Sequence, residues 1–250
     1  MLGKFSCFYF LTHFSWGLSY ATDDGPRHVT EYITKQENTI RRLVELLKHT
    51  ISDVQTPALR TIGNLVTGNN EQTQRIISCE VLPCLKTLLL SPKEKIRKEV
   101  MWSLSNITAG TTNQIQAVID AGIFPKLFTM LSPDNNEAVG VKNEMYYIFK
   151  NALEGGSDAQ IQYLIDQGVI QQLCGLDVGS TILTVLLEGL KLILRYGVRS
   201  DTLKEISKII EDCGGVEKIK ALQHHTSEDV NQKALHILEL YERLSNNEDI

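Results

Sequence analysis

Apolar helical runs end at Gly25, Gly68, Gly110, Gly155 and Gly197, and these glycines lie 43, 42, 45 and 42 residues apart. A spacing of this size that returns so regularly implies a row of similar units, each too small to bury a core alone and stable only when stacked on its neighbours. The order inside a unit also repeats. Gln114-Ile115-Gln116 is followed by Asp120-Ala121-Gly122 and an apolar stretch to Leu127. Gln160-Ile161-Gln162 is followed by Asp166-Gln167-Gly168 and a stretch to Leu173. Gln74-Arg75-Ile76-Ile77 and Val81 to Leu85 fill the same slots more loosely, and Pro92 and Pro133 punctuate the loops.

The period lies in the range of armadillo or HEAT units, bundles of two or three helices. It predicts an all-α chain, a right-handed armadillo-repeat superhelical solenoid. The expected division is a partial repeat over 1–25 that keeps only its last helix, repeats over 26–68, 69–110, 111–155 and 156–198, and a C-terminal capping repeat over 199–250. The first helix would expose Phe8, Leu11 and Phe14 at an uncapped edge, whereas Glu239, Glu242, Glu248 and Asp249 would form a polar cap at the other end. Leu and Ile at spacings of three and four, with only six prolines, agree with helices throughout.

Charge narrows the partners. The net charge of -5 is spread along the chain, which argues against a nucleic-acid surface and suits a basic partner. The five cysteines, Cys7, Cys79, Cys84, Cys174 and Cys213, are scattered and read as reduced, mostly buried thiols. Lys4 and the run Phe5 to Leu11 can pass for a secretory signal, and cleavage after about residue 22 would make a secreted structural protein of the armadillo kind. His13, Ser15 and Trp16 interrupt that run, which is too short to span a membrane. Mass spectrometry of the mature N-terminus separates the two readings.

One stripe carries candidate chemistry. On a helix through Glu99 to Gly110, Glu99, Trp102 and Asn106 share a face. The pattern returns in Glu144, Tyr147 and Asn151, and in part in Arg60 with Asn64 and in Trp16 with Tyr20. Such a stripe suits an extended lysine-bearing peptide: amides hold its backbone, rings cover the aliphatic stems, and carboxylates meet the ammonium groups. No serine or cysteine has a base partner in sequence, and no metal-ligand spacing or phosphate-loop pattern is present, so neither catalysis nor a cofactor is expected. His224-His225 reads as a solvated turn, and the Asn106-Ile107-Thr108 sequon as incidental.

Here a family resemblance becomes specific. Trp102 with Ser105-Asn106-Ile107-Thr108-Ala109-Gly110, Ile115 to Ala121, and Ala58 to Gly68 closely resemble importin alpha, the armadillo adaptor that carries nuclear localisation signals. Arg41 to Leu47 and Ile210 to Gly215 extend the match to nearly the whole chain from Trp16 onward. The resemblance implies the second half of such a protein, from the last helix of the fifth repeat through the tenth, with its minor cargo site. Trp102 and Tyr147 would then be stacking walls, and Asn64, Asn106 and Asn151 would clamp the cargo backbone. Glu99 and Glu144 would attract basic side chains, while Ser105, Val66 and Thr73 would line the pocket for the key lysine. Arg60 takes the place of an aromatic in the sixth repeat, as it does in the family.

The implied role is a nuclear import adaptor, in cytoplasm and nucleus, that binds basic nuclear localisation signals. The export receptor and a nucleoporin would bind the 199–250 repeat. Importin beta would need the family's N-terminal arm, which this sequence does not include, and neither nucleic acid nor membrane is an expected partner. The departures predict a weakened site. Tyr147 replaces a tryptophan, Asn69-Asn70 an acidic pair, and Lys150 with bulky aromatics replaces small residues, while Leu192 falls where the ninth repeat would carry its ladder asparagine. The rival expectation is a truncated or divergent scaffold that sequesters basic proteins or transport factors without importing them.

Overall fold

The computed structural model describes residues 2–23, 26–132 and 134–245, with side chains described from Thr12 to Tyr241. Gly25, Pro133 and the side chains of Cys7, Phe8, Leu11, Glu242, Glu248 and Asp249 lie outside the described residues. Among the described residues the secondary structure is helical, without a strand. A long helix, α1 (Leu2–Asp23), is followed by helices that fall in threes. These are α2 (Arg27–Lys35), α3 (Glu37–Leu47) and α4 (Ser52–Leu65), then α5 (Asn70–Ser78), α6 (Val81–Leu88) and α7 (Glu94–Thr108). Next come α8 (Thr112–Asp120), α9 (Phe124–Leu131) and α10 (Val139–Gly155), then α11 (Asp158–Asp166), α12 (Val169–Leu173) and α13 (Ser180–Ser200). The last set is α14 (Leu203–Asp212), α15 (Gly215–Leu222) and α16 (Glu228–Ser245). No described helix is long and apolar enough to cross a membrane.

The recurring glutamine has a physical cause. Asn69, Thr111 and Ser157 are N-caps of α5, α8 and α11, and each forms a capping box with the glutamine three residues on, Gln72, Gln114 or Gln160. These glutamines are buried. The Gln114 Nε2 also donates to the Asn70 carbonyl 2.7 Å away, so one side chain starts its own helix and ties it to the preceding set. The glycines before the first two caps make room for this fold-back: a Cβ at Gly68 or Gly110 would lie 2.1 or 1.9 Å from the glutamine Oε1, whereas one at Gly156 would lie 2.4 Å from the Ala152 carbonyl. Gly155 ends α10 as expected, and the next residue, Gly156, stands before the Ser157 cap. One of the evenly spaced glycines differs from its expected part. Gly197 lies inside α13, where a Cβ would lie 2.8 Å from Ile206 Cδ1 and 3.0 Å from the Leu203 backbone. Its smallness serves the close approach of α14 rather than a helix end.

The corner between first and second helices is left-handed at Gly122, Gly168 and Gly214, with φ of 63°, 92° and 70°. Glu80 takes the same conformation at φ 62°, an uncommon choice for a side-chain-bearing residue.

Two compact units result, Met1–Leu127 with Asn136–Glu144 and Phe128–Asn135 with Met145–Ile250. In the first, α4 packs between α1 and α7 and contributes Val54, Ala58, Leu59 and Ile62 to the core, facing Val100, Leu104 and Ile107 of α7. In the second, α13 packs against α14 and α16, with Leu186, Leu190 and Ile193 buried, and Phe128 stacks on Phe149 with ring centroids 4.9 Å apart. Phe14 is more than half exposed on α1, and Glu239 is exposed on α16.

Candidate functional site

In the first unit the residues of interest lie on α1, α4, α7 and the start of α10. Trp102 is held flat against α4. A Cβ at Gly63 would lie 2.3 and 2.7 Å from two ring atoms, so only glycine admits the indole there. Arg60 is one turn earlier on α4, and its guanidinium carbon sits 4.8 Å from the indole centroid, within cation–π range. The Arg60 Nη1 donates to both Glu99 oxygens, at 3.0 and 3.2 Å, and Nη2 lies 3.6 Å from the Asp23 carboxylate.

One turn after Trp102, Asn106 is half-buried, and its Nδ2 is enclosed without a hydrogen-bond partner. An unpaired buried amide donor costs about 1–3 kcal/mol, so this group gains from an acceptor brought to it. Glu144, on α10, is half-buried and forms no ion pair among the described residues. Burial raises the pKa of its carboxyl above the ordinary value, Lys98 opposes this, and Glu99 adds to it.

Other expected residues are placed differently. The Asn64 side chain is 4% exposed, and its Nδ2 donates to the Ser19 carbonyl at 3.1 Å and the Thr22 Oγ1 at 3.0 Å. Both amide hydrogens therefore tie α4 to α1. Val66, Thr73 and Ser105 are buried. The Thr73 hydroxyl donates to the Val66 carbonyl at 3.3 Å, and the Ser105 hydroxyl to the Trp102 carbonyl at 2.9 Å. The three sit under the ends of α4 and α7, with these hydroxyls directed at backbone oxygens rather than into open space.

A groove of about 460 Å³ lies beside these helices, lined by Trp16, Asp53, Thr56, Lys95, Lys98 and Glu99. Trp16 and Tyr20 stack on α1 with centroids 5.7 Å apart, and Tyr20 is exposed. Sequence reasoning singled out Trp16, Tyr20 and Glu99 but not Asp53, Thr56, Lys95 or Lys98. A signal was available, because Asp53, Thr56 and Arg60 share one face of α4, and Lys95, Glu99 and Trp102 one face of α7. The two lysines make the groove mixed in charge rather than acidic.

In the second unit, Tyr147 and Asn151 continue the face of α10 that carries Glu144, and both are half-buried. Lys150, one of the departures from small residues in this repeat, pairs along the helix with Glu154. Leu192 is half-buried on α13, and the neighbouring Lys191 is 2.9 Å from Glu188.

Comparison with known proteins agrees with this architecture. The armadillo/beta-catenin-like repeat matches residues 27–67 and 69–109, and an atypical armadillo repeat matches 204–249. Importin subunit alpha-1b of Oryza sativa subsp. japonica is 41% identical over 239 residues, covering 92% of this chain and 44% of the relative. Importin subunit alpha-3 of Arabidopsis thaliana is 40% identical over 248 residues, covering 96% of this chain and 46% of the relative. The chain thus spans somewhat under half the length of these relatives. Among solved structures, the designed armadillo repeat protein YIII(Dq)4CqI superposes with a TM-score of 0.79 at 26% identity, covering 92% of each chain. The designed armadillo repeat protein YIII(Dq.V1)4CPAF, in complex with the peptide (KR)4, gives 0.77 at 26% identity, covering 92% of this chain and 91% of that one. On repeats and relatives together, the chain belongs to the armadillo-repeat proteins and resembles the importin alpha subunits among them over most of its length.

Proposed function

We propose that the chain is a peptide-binding module, a nuclear import adaptor that takes the basic nuclear localisation signal of cargo proteins along α4 and α7. The observation that carries this reading is the pairing of Trp102, laid flat by Gly63, with the unpartnered amide of Asn106 one turn away. An amide donor can hold a peptide carbonyl whatever the side chain, and an indole edge and outer face can cover a lysine stem. The names of the relatives and the (KR)4 complex of a designed neighbour support the same choice of ligand.

In this reading Trp102, Asn106, Glu99 and Glu144 are the principal groups, and in the second unit Tyr147 and Asn151 repeat the aromatic and amide pattern. Val66, Thr73 and Ser105 shape the ground beneath it, and Asn64 fixes the spacing of α1 and α4. Arg60 replaces an aromatic. The repeats would run 26–68, 69–110, 111–155, 156–198 and 199–250 after the partial unit 1–25. The last would serve an export receptor and a nucleoporin, with cytoplasm and nucleus as the working compartments. The role is binding rather than catalysis, and importin beta enters only through an N-terminal arm supplied by a longer chain.

The test is titration of a fluorescent lysine-rich localisation peptide with the purified chain. Binding should weaken by about tenfold between 50 and 200 mM salt, because the carboxylates lie near the surface and are screened. Absence of binding by the folded chain at the lower salt rejects the reading. The second reading is a scaffold that sequesters basic proteins or transport factors without importing them. Cargo capture without import in permeabilised cells would select it.

Binding should also depend on pH through Glu144. Its carboxyl has a pKa raised by burial, so it takes up a proton at a higher pH than an ordinary glutamate, and a protonated carboxyl no longer attracts an ammonium group. Affinity should therefore fall on acidification before ordinary carboxylates titrate, near 4.5. Glu144→Gln should weaken binding at neutral pH by about tenfold and remove the early part of that fall. An unchanged pH profile in the variant would remove Glu144 from the site.

A further inference from the structure

The peptide-binding reading assigns Trp102 and Glu99 to a basic side chain of the ligand, but the folded chain already presents one to them. Arg60 places its guanidinium over the indole at 4.8 Å and gives Glu99 two hydrogen bonds at 3.0 and 3.2 Å, with Asp23 3.6 Å from its other nitrogen. One guanidinium nitrogen thus meets both oxygens of the carboxylate, and this is combined with the stacking that favours arginine over lysine on an aromatic face. The side chains of Arg60 and Glu99 are 36% and 24% exposed, so the pair is shielded enough to matter and open enough to exchange. Gly63, on the same side of α4, holds the ring where Arg60 can reach it.

We infer that Arg60 is a specificity-determining residue of the groove: an internal cation that occupies the Trp102–Glu99 position, so that a basic peptide gains that position only by displacing it. The consequence rests on the peptide-binding reading and refines it. Glu99 is neutralised before any ligand arrives, whereas Glu144 forms no ion pair among the described residues. A ligand cation therefore finds its free carboxylate at Glu144. The preferred ligand is a peptide with one lysine or arginine for that carboxylate and an uncharged residue opposite Arg60, rather than an unbroken run of bases. Each further base must evict or repel the guanidinium.

The experiment titrates the purified chain and its Arg60→Gln variant with the same fluorescent lysine-rich peptide at low and moderate salt. Glutamine removes the charge and keeps a comparable stem. The variant should bind about fivefold to tenfold more tightly and lose more of its affinity as salt rises, because Glu99 is then free. In the Arg60→Gln background, a further Glu99→Gln change should remove the gain. Arg60→Lys keeps the charge without the planar group that stacks on the indole, and should tighten binding by about twofold. It supplies the readout where glutamine disturbs the fold. Thermal melting and far-ultraviolet circular dichroism establish that each variant is folded. Binding by the parent with no tightening in either folded variant overturns the inference and leaves the peptide-binding reading in place. Failure of both parent and variants to bind overturns the reading and the inference with it. Binding by Arg60→Gln but not by the parent is the strongest support, since the internal arginine then closes the site.

Discussion

Trp102→Ala is expected to bring capture of a lysine-rich peptide below detection while leaving the chain folded. A large, partly buried aromatic at the centre of a recognition surface typically contributes about 2–4 kcal/mol on truncation, which is roughly a thirtyfold to thousandfold loss of affinity. The loss should be at the high end because the ring does more than present a face. Its seat on Gly63 fixes the start of the turn that carries Asn106, and it backs the Arg60 guanidinium. Removing it loosens the ladder and frees Arg60 at once. Folding should survive, since Trp102 is half-buried on the surface of α4 and the core between α4 and α7 is built from Leu59, Ile62, Val100, Leu104 and Ile107. Trp102→Phe should fall between the two, in keeping with the weaker cation attraction of a smaller ring. Isothermal titration of parent and variants, with melting curves alongside, decides the matter. Parent-like affinity in a folded Trp102→Ala protein would move the site elsewhere.

The helical set, the period and the polarity of the stripe could be read from the residues because each rests on local rules. Glycine spacing, capping side chains and three-four periodicity act within a few residues of themselves. Gly155 ends α10 as its spacing predicts, whereas the need for glycine at Gly156, where a Cβ would lie 2.4 Å from the Ala152 carbonyl, shows only in the folded backbone. Gly197 lies inside α13, and its smallness answers to Leu203 and Ile206 of the next helix rather than to a helix end.

The candidate site divides along the same line. That Trp102 and Asn106 share a face follows from helix period alone. Which groups around them are free does not, because it depends on what a neighbouring helix offers. Asn64 has the spacing of a ladder residue, yet Ser19 and Thr22 take both hydrogens of its amide. Glu99 has the spacing of an open carboxylate, yet Arg60 reaches it from 39 residues away in sequence. Lys95 and Lys98 enter the groove from the first turns of α7, where Lys95 shares the face of Glu99 and Trp102. Partnership across helices sets the electrostatics of the site, and that information is distributed over three helices.

The same dependence on distant partners sets the second large prediction, which concerns stability. Arg97 on α7 meets Glu137, just before α10, through Nη2 at 2.6 Å and Nε at 2.7 Å, and the side chains are only 18% and 5% exposed. A Glu137 oxygen also accepts the Ala138 N–H at 2.8 Å, so the pair fastens the start of the helix that carries Glu144. Burial alone would raise the Glu137 pKa, but the Arg97 hydrogen bonds, the Ala138 N–H and the Arg97 charge outweigh it and hold the value below the ordinary one. Arg97→Ala leaves that carboxylate buried and unpaired, and should destabilise the chain by about 3–5 kcal/mol. The double change Arg97→Met with Glu137→Leu should recover most of the loss, because no buried charge then remains. Sign and window follow from the lowered folded pKa. The pair stabilises the parent above the unfolded carboxylate value near 4.5, and its contribution is lost as pH falls through the folded value. Urea melts of parent, single and double variants at neutral and acid pH measure all three statements. A single variant as stable as the parent at neutral pH would mean that Glu137 is solvated by water instead, and that α10 is positioned by its apolar face alone.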